Sequence, residues 1–144
     1  MADNAQFYAD LDGILDRLRA FEGLVKDAAP EVADALQAKV RENVANQVDP
    51  YGHPWPAPKD GSGRVLVNAA AAVTTNATGT TITQSVTGPE AMHHTGEARG
   101  YHGGSARLGG YRRPLIPWKN LPGPFKAVVR RVLMRRAEQI GVRV

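Results

Sequence analysis

The stretch NAQFYADLDGILDRLRAFEGLVKDA, residues 4–28, sets the first element of the fold. Its apolar side chains recur in alternating steps of four and three residues, which places them along one side of an α-helix. Asp3 or Asn4 can cap the start of this helix. A long helix with one apolar stripe needs a partner surface, and in so small a domain we expect part of that surface to lie on a neighbouring subunit. The stripe consists of Phe7, Leu11, Ile14, Leu18, Phe21 and Val25.

A second helix is predicted to begin at Pro30, because proline is well tolerated in a first helical turn. Helical spacing continues through Val32, Leu36, Val40 and Val44. The prolines that follow within residues 50–58 cannot continue a helix and predict a rigid, extended turn region.

The pattern changes after residue 64, where β-branched residues favour strands. Residues 71–76 and 80–87 are predicted to form two strands joined by a turn at 76–80 that contains Gly79. Threonine alternates with valine and isoleucine, so we expect one face of this hairpin to be solvated or to lie at an interface.

Residues 96–124 are rich in glycine, proline and basic residues and predict a long loop without regular structure, which is either functional or ordered by a partner. A last helix is expected after Pro124. Its apolar face is predicted to contain Phe125, Val128, Val129, Val132, Leu133 and Ile140. The fold class is therefore α+β: long N-terminal helices, a small antiparallel β-sheet with a long loop, and a C-terminal helix packed on the sheet, all in one domain covering residues 1–144.

Composition restricts the cellular context. The chain has 144 residues and no cysteine, so disulfides and thiolate metal sites are excluded and folding in the cytoplasm is expected. Residues 1–10 lack the basic start and apolar stretch of a signal peptide. No apolar run approaches a membrane-spanning length, so no membrane partner is expected.

Charge is divided unevenly along the chain. Residues 1–60 carry 11 acidic and six basic side chains, whereas residues 99–144 carry 11 basic side chains and one acidic. This division indicates pairing of unlike surfaces between subunits, or a polyanionic partner. A solvated basic face is the alternative reading.

No constellation of residues indicates catalysis, so we expect no enzyme activity and no cofactor. The sequence has no Gly-x-Ser-x-Gly elbow, no P-loop and no helical His-x-x-x-His pair. His93 and His94 are adjacent and would point to opposite faces of a strand. A zinc site made of His93, His102 and Glu97 is conceivable, but loop histidines are usually plain polar surface, and no metal site is expected.

Nucleic-acid binding is the main alternative to a purely structural role. Basic residues near the C-terminus can neutralise phosphates, and Tyr101, Tyr111 and Trp118 can stack on bases. No motif that reads DNA sequence is present, so any contact is expected to be unspecific. The candidate contacts to DNA or to an acidic partner are Arg107, Arg112, Arg130, Arg131 and Arg135.

The order of several motifs resembles a known family. DPYGHPWPAPK at residues 49–59 follows a helix, MHHTG occupies residues 92–96, and RPLIP at 113–117 precedes the last helix. This order resembles the phage virion morphogenesis family, the tail completion proteins of Mu-like and related tailed phages. The family usually has a Leu-x-x-Thr-Gly-x-Leu-like stretch before the hairpin, where residues 66–73 here read LVNAAAAV.

The resemblance implies a virion protein at the neck or tail terminus, assembled in the host cytoplasm. Such subunits close the tail tube and support head–tail joining through a homo-oligomeric ring, commonly sixfold, with genomic DNA passing through without sequence-specific contact. The implied partners are further copies of the chain, the tail tube protein and head-completion or connector proteins.

Eight residues follow as candidate interface or loop-shaping positions. For Trp55 and Trp118 the alternative is packing in the core, because tryptophan serves both purposes. The eight are Asp49, Gly52, Trp55, His94, Gly96, Arg113, Pro117 and Trp118.

Overall fold

The computed structural model describes the backbone of residues 2–57, 61, 63–95, 97–99, 105–107 and 113–141. Its elements confirm the α+β class. In chain order they are helix α1 (Ala2–Asn46), a 3₁₀ turn (Ala69–Ala72), strands β1 (Val73–Thr78) and β2 (Thr81–Val86), helix α2 (Glu90–Thr95), strands β3 (Glu97–Arg99) and β4 (Ser105–Arg107), and helix α3 (Gly123–Gln139).

The N-terminal region is one helix of 45 residues with Pro30 inside it, so the predicted separation into two helices is wrong. A proline within a helix removes one backbone hydrogen bond and crowds the carbonyl four residues earlier. Both Pro30 and Lys26 face solvent, where water can satisfy that carbonyl. Burial of Ala28, Ala29 and Val32 around the proline stabilises the helix on both sides of it.

Strands β1 and β2 form the predicted antiparallel hairpin, with Val73 opposite Val86 and Thr78 opposite Thr81. Gly79 opens the two-residue loop with φ +59°, a conformation that glycine adopts without strain. Residues on one face, beginning with Val73, are buried or half-buried, while alternate residues are exposed. The hairpin therefore has one covered and one solvated face, as its alternating pattern predicts.

Two glutamines tie α1 to the following segments. The Gln37 amide donates to the carbonyl oxygens of Ala70 (3.1 Å) and Val73 (3.0 Å) and accepts from the hydroxyl of Thr75 (2.7 Å). The Gln47 side chain bonds both the carbonyl (2.8 Å) and the amide (2.7 Å) of Val65. These bonds join backbone groups of the hairpin and of the segment before it to α1, and the bond from Gln37 to the Ala70 carbonyl adds to the one that this carbonyl accepts from the Val73 amide.

The hydrophobic core lies around the C-terminal part of α1. Val40 and Phe125 are fully buried there, together with Trp55 and Leu115. Helix α3 packs chiefly against α1, which also contacts the hairpin, whereas the sequence pattern predicts α3 on the sheet. The predicted apolar face of α3 is buried or half-buried except at Ile140, which is 58% exposed because it lies one residue past the helix end.

The segment 96–124 is not wholly irregular. Strands β3 and β4 pair antiparallel, with Glu97 opposite Arg107, which corrects the prediction of a loop without regular structure. His93 and His94, weighed above as strand or loop residues, lie in helix α2.

Candidate interface

The Asp49–Trp55 turn is organised by one carboxylate. Oδ1 of Asp49 accepts hydrogen bonds from the backbone amides of Tyr51 (2.8 Å) and His53 (2.9 Å), and Oδ2 lies 3.0 Å from Nδ1 of His53. Gly52 sits in this turn with φ +88°. Asp49 is itself buried. Its carboxylate accepts hydrogen bonds from amides of the turn in place of backbone carbonyls, as aspartate commonly does in turns.

Trp55 and Arg113 connect this turn to a distant segment. The Trp55 indole N–H donates to the Pro114 carbonyl (3.2 Å), and the Arg113 guanidinium donates to the Pro56 carbonyl through two nitrogens, at 2.9 and 3.1 Å. Both side chains are buried. The structure thus places them inside the protein, where they hold two loops together, rather than on its surface.

The two histidines of α2 complete this network. The Arg113 amide donates to the His93 carbonyl (2.8 Å), and the Leu115 amide donates to Nδ1 of His94 (3.1 Å). An accepting Nδ1 places the proton of neutral His94 on Nε2. Burial, and then the nearby positive charge of Arg113, lower the pKa of His93, while Glu90 opposes the shift.

A second group of side chains lies at the surface. The rings of Tyr51 and Trp118 meet edge to face with centroids 4.6 Å apart, and the Lys119 ammonium lies 4.8 Å from the Tyr51 ring. The Tyr51 hydroxyl donates to the Asn120 carbonyl (3.1 Å). Trp118 is partly exposed and the neighbouring Pro117 is half-buried. An aromatic pair held rigidly at the surface suits a protein contact, since ordering it on binding costs little entropy.

The N-terminal half of α1 carries an apolar stripe that the described chain does not cover. Ile14 is 51% exposed, Leu18 59% and Phe21 62%, whereas from Leu24 onward the same spacing leads into the core. Removing a side chain of this size from water contributes about 1.5–3 kcal/mol. This uncovered stripe, defined by Tyr8, Leu11, Ile14, Leu15, Leu18 and Phe21, is called the tip stripe below.

Beside the tip stripe runs an apolar groove between α1 and α3, with a volume of about 660 Å³. Leu24 and Phe21 form part of one wall, and Leu133 and Met134 part of the other. Its charged lining residues are all basic: Arg17, Lys126 and Arg130. The groove is thus apolar inside and positive at its border.

Part of the expected pairing of acidic and basic halves takes place within the chain. Glu31 of α1 accepts from Nε of Arg136 (2.7 Å) and also pairs with Arg135. Arg135, a predicted contact for an outside partner, therefore has an acidic partner in its own chain. Arg130 and Arg131 are exposed and form no ion pair with the described residues.

Three predicted positions cannot be placed on a surface. Gly96 and Arg112 lie outside the described residues, and the side chain of Arg107 in β4 is likewise not described. His102, weighed as a zinc ligand, also lies outside them. Within the part of the chain that is described, no group of three or more His, Cys, Asp or Glu residues could hold a metal ion.

Sequence reasoning missed the surface roles of Tyr51 and Lys119 and the groove residues Leu121 and Met134. Tyr51 belongs to the DPYGHPWPAPK motif, but Trp118 lies 67 positions further along the chain. Their contact depends on how the Asp49–Trp55 turn packs against the segment that precedes α3. Among the described helices, none is both long and apolar enough to cross a bilayer.

Comparisons with protein-family models, with curated proteins and with solved structures gave no match to this chain.

Proposed function

We propose that this chain is a structural virion protein at the neck or tail terminus of a tailed phage, which completes the tail and supports head–tail joining as a homo-oligomeric, sixfold ring. Its role is assembly rather than catalysis. Its other partners are the tail tube protein and head-completion or connector proteins, and genomic DNA passes through the ring.

The observation that carries the assembly role is the uncovered tip stripe. A contiguous apolar surface on a helix is typical of a protein contact, and α1 presents it beside a groove of matching apolar character. The stripe and the groove share Phe21 and otherwise consist of different residues, so each copy offers two unlike faces, which a head-to-tail ring requires.

The phage context is supported by the motif order. The motifs that carry the resemblance, at residues 49–59, 92–96 and 113–117, contain three side chains that hydrogen-bond backbone groups of another motif: those of Trp55, His94 and Arg113. A shared internal scaffold explains why such motifs would occur together in one family.

Electron microscopy of particles made without this protein tests the proposal. We expect unjoined heads together with tails that lack a defined end, and restoration of joined particles when the protein is supplied in trans. Normal joined particles with tails of normal length in its absence would contradict the proposal.

Unspecific DNA binding is the second candidate, favoured by the exposed Arg130 and Arg131 on α3. Each phosphate contact contributes about −0.9 to the slope of log affinity against log salt. We expect the double substitution Arg130→Gln with Arg131→Gln to lower the magnitude of that slope by roughly 2. Fluorescence anisotropy with duplex DNA measures it, and an absence of binding at low salt removes this candidate.

A further inference from the structure

We propose that the tip stripe of one copy docks into the α1–α3 groove of a second copy. This inference rests on the self-association in the proposed function and names the two surfaces that perform it. The contact is a helix seated in a groove, a recognition mode that uses anchors at helical spacing. Tyr8, Leu11, Leu15 and Leu18 provide such spacing.

The tip stripe cannot occupy the groove of its own molecule. The tip stripe and one wall of the groove belong to the same continuous helix, with Phe21 common to both. The stripe can reach its own groove only if α1 breaks and folds back, which the unbroken helix does not do.

Charge complementarity favours a second copy as the source of the docking helix. Residues 2–21 carry four acidic and two basic side chains, and the exposed Asp10, Asp12 and Asp16 flank the tip stripe, while the groove is bordered by Lys126 and Arg130 in addition to Arg17. Docking of stripe into groove therefore brings unlike charges together, which favours this arrangement over others.

The same charges disfavour the competing arrangement, in which two tip stripes pair as a coiled coil. That pairing brings together two helix segments, residues 2–21, that each carry four acidic and two basic side chains, so like charges predominate, and like charges at close range are destabilising. The groove is also lined by apolar residues of two helices, α1 and α3. A stripe docked there is therefore covered over more of its apolar surface than one that faces a single helix.

Cross-linking between chosen positions tests the contact directly, because the chain has no cysteine of its own. The full-length variants Leu11→Cys, on the tip stripe, and Met134→Cys, in the groove, are purified separately, mixed and treated with a short bis-maleimide. Thr81→Cys, exposed on β2, is the control partner. We expect Leu11→Cys to cross-link with Met134→Cys several-fold more than with Thr81→Cys or with itself.

Two results overturn the proposal. One is a Leu11→Cys protein that cross-links mainly to itself, which indicates pairing of two tip stripes. The other is equal, low cross-linking of all mixtures up to the solubility limit, which indicates that the groove receives a different molecule. Circular dichroism of each variant confirms that the cysteine substitutions leave the fold intact.

Charge reversal provides the second arm. Changing Asp10, Asp12 and Asp16 together to lysine should abolish association measured by sedimentation, whereas Asp34→Lys, exposed on α1 away from the tip, should not. Mixing the triple variant with a Lys126→Glu, Arg130→Glu chain should restore it. Failure of this mixture to associate, with both chains folded, contradicts the assigned pairing.

Different experimental outcomes contradict the docking and the proposed function. A specific Leu11-to-Met134 cross-link in an assembly that stops at two copies supports the docking and contradicts the ring. A ring that forms with no such cross-link supports the proposed assembly and contradicts the docking.

Discussion

The two halves of α1 have the same kind of sequence and opposite surroundings. Both carry aliphatic side chains at helical spacing, yet Leu36 is 5% exposed and Leu18 is 59% exposed. The inner half, residues 24–46, is covered by α3, the hairpin and the Trp55 region. The outer half, residues 2–21, extends past that cover. Amphipathic spacing thus shows that a helix needs a partner, but not whether its own chain provides it.

The largest expected effect comes from removing the same side chain in each half. Leu36→Ala should lower the free energy of unfolding by about 2–5 kcal/mol, because it leaves a cavity in a packed core. Leu18→Ala should change it by less than about 0.5 kcal/mol in dilute solution. Urea denaturation measures both, and equal losses in the two variants would contradict the difference between the halves.

A smaller loss of stability is expected when one glutamine in each half of α1 is replaced. Gln37→Ala removes the side-chain donor to the Val73 carbonyl and one of the two donors to the Ala70 carbonyl, which also accepts from the Val73 amide, and should cost about 1–3 kcal/mol. Gln6→Ala is the matched control, because Gln6 donates to Asp10, its partner among the described residues, on an exposed face of α1. Its denaturation midpoint should match that of the unaltered protein. If both variants unfold alike, the amide of Gln37 does not tie α1 to the hairpin.

Removing an ion pair from each half of α1 should give a still smaller difference in stability loss. Glu31→Gln removes the partner of Arg135 and Arg136, and because these arginines are about half-exposed the loss should be about 0.5–1 kcal/mol. The loss should shrink as salt is added. Asp16→Asn, at the exposed pair with Arg19, should give no measurable change. A loss independent of salt would argue that Glu31 acts by packing instead.

The smallest expected effect is a pH dependence of stability that arises from His93 in α2. Neither half of α1 contains a histidine. The lowered pKa of His93 means that the unfolded chain binds a proton below its ordinary value of 6.5 while the folded chain does not. The stability contribution is therefore complete above pH 6.5 and is lost as pH falls toward the lowered value. His93→Gln should flatten the change in urea midpoint between about pH 7.5 and about pH 5. An unchanged pH profile in this variant would count against burial of a neutral His93.

Regular features of the fold could be predicted from the sequence because they depend on local patterns. The hairpin around Gly79 and the start of α3 at the Gly123–Pro124 pair follow from turn chemistry and from the tolerance of proline in a first helical turn. The prediction at Pro30 was wrong because tertiary packing of Ala28, Ala29 and Val32 overrides a local break signal.

The candidate interface was predictable only in outline. The need of the first helix for an outside partner follows from its stripe, but the groove requires α1 and α3 to lie side by side. Arg113 illustrates the limit: its charge suggests a surface contact, yet carbonyls of Pro56 and Ala57, brought close by the turn, bind it in the interior. The sequence contains no local signal for those acceptors.

Gly13 and Gly23 lie in and just beyond the outer half of α1, and each has open space where a β-carbon would stand. Each weakens the helix by about 1 kcal/mol relative to alanine, and the described part of the chain does not pack over the tip to compensate for it. We expect the amide protons of the outer half to exchange with solvent by local opening, far faster than those of residues 28–44. Covering this half should slow their exchange, so hydrogen–deuterium exchange can report occupancy of the tip before any partner has been identified.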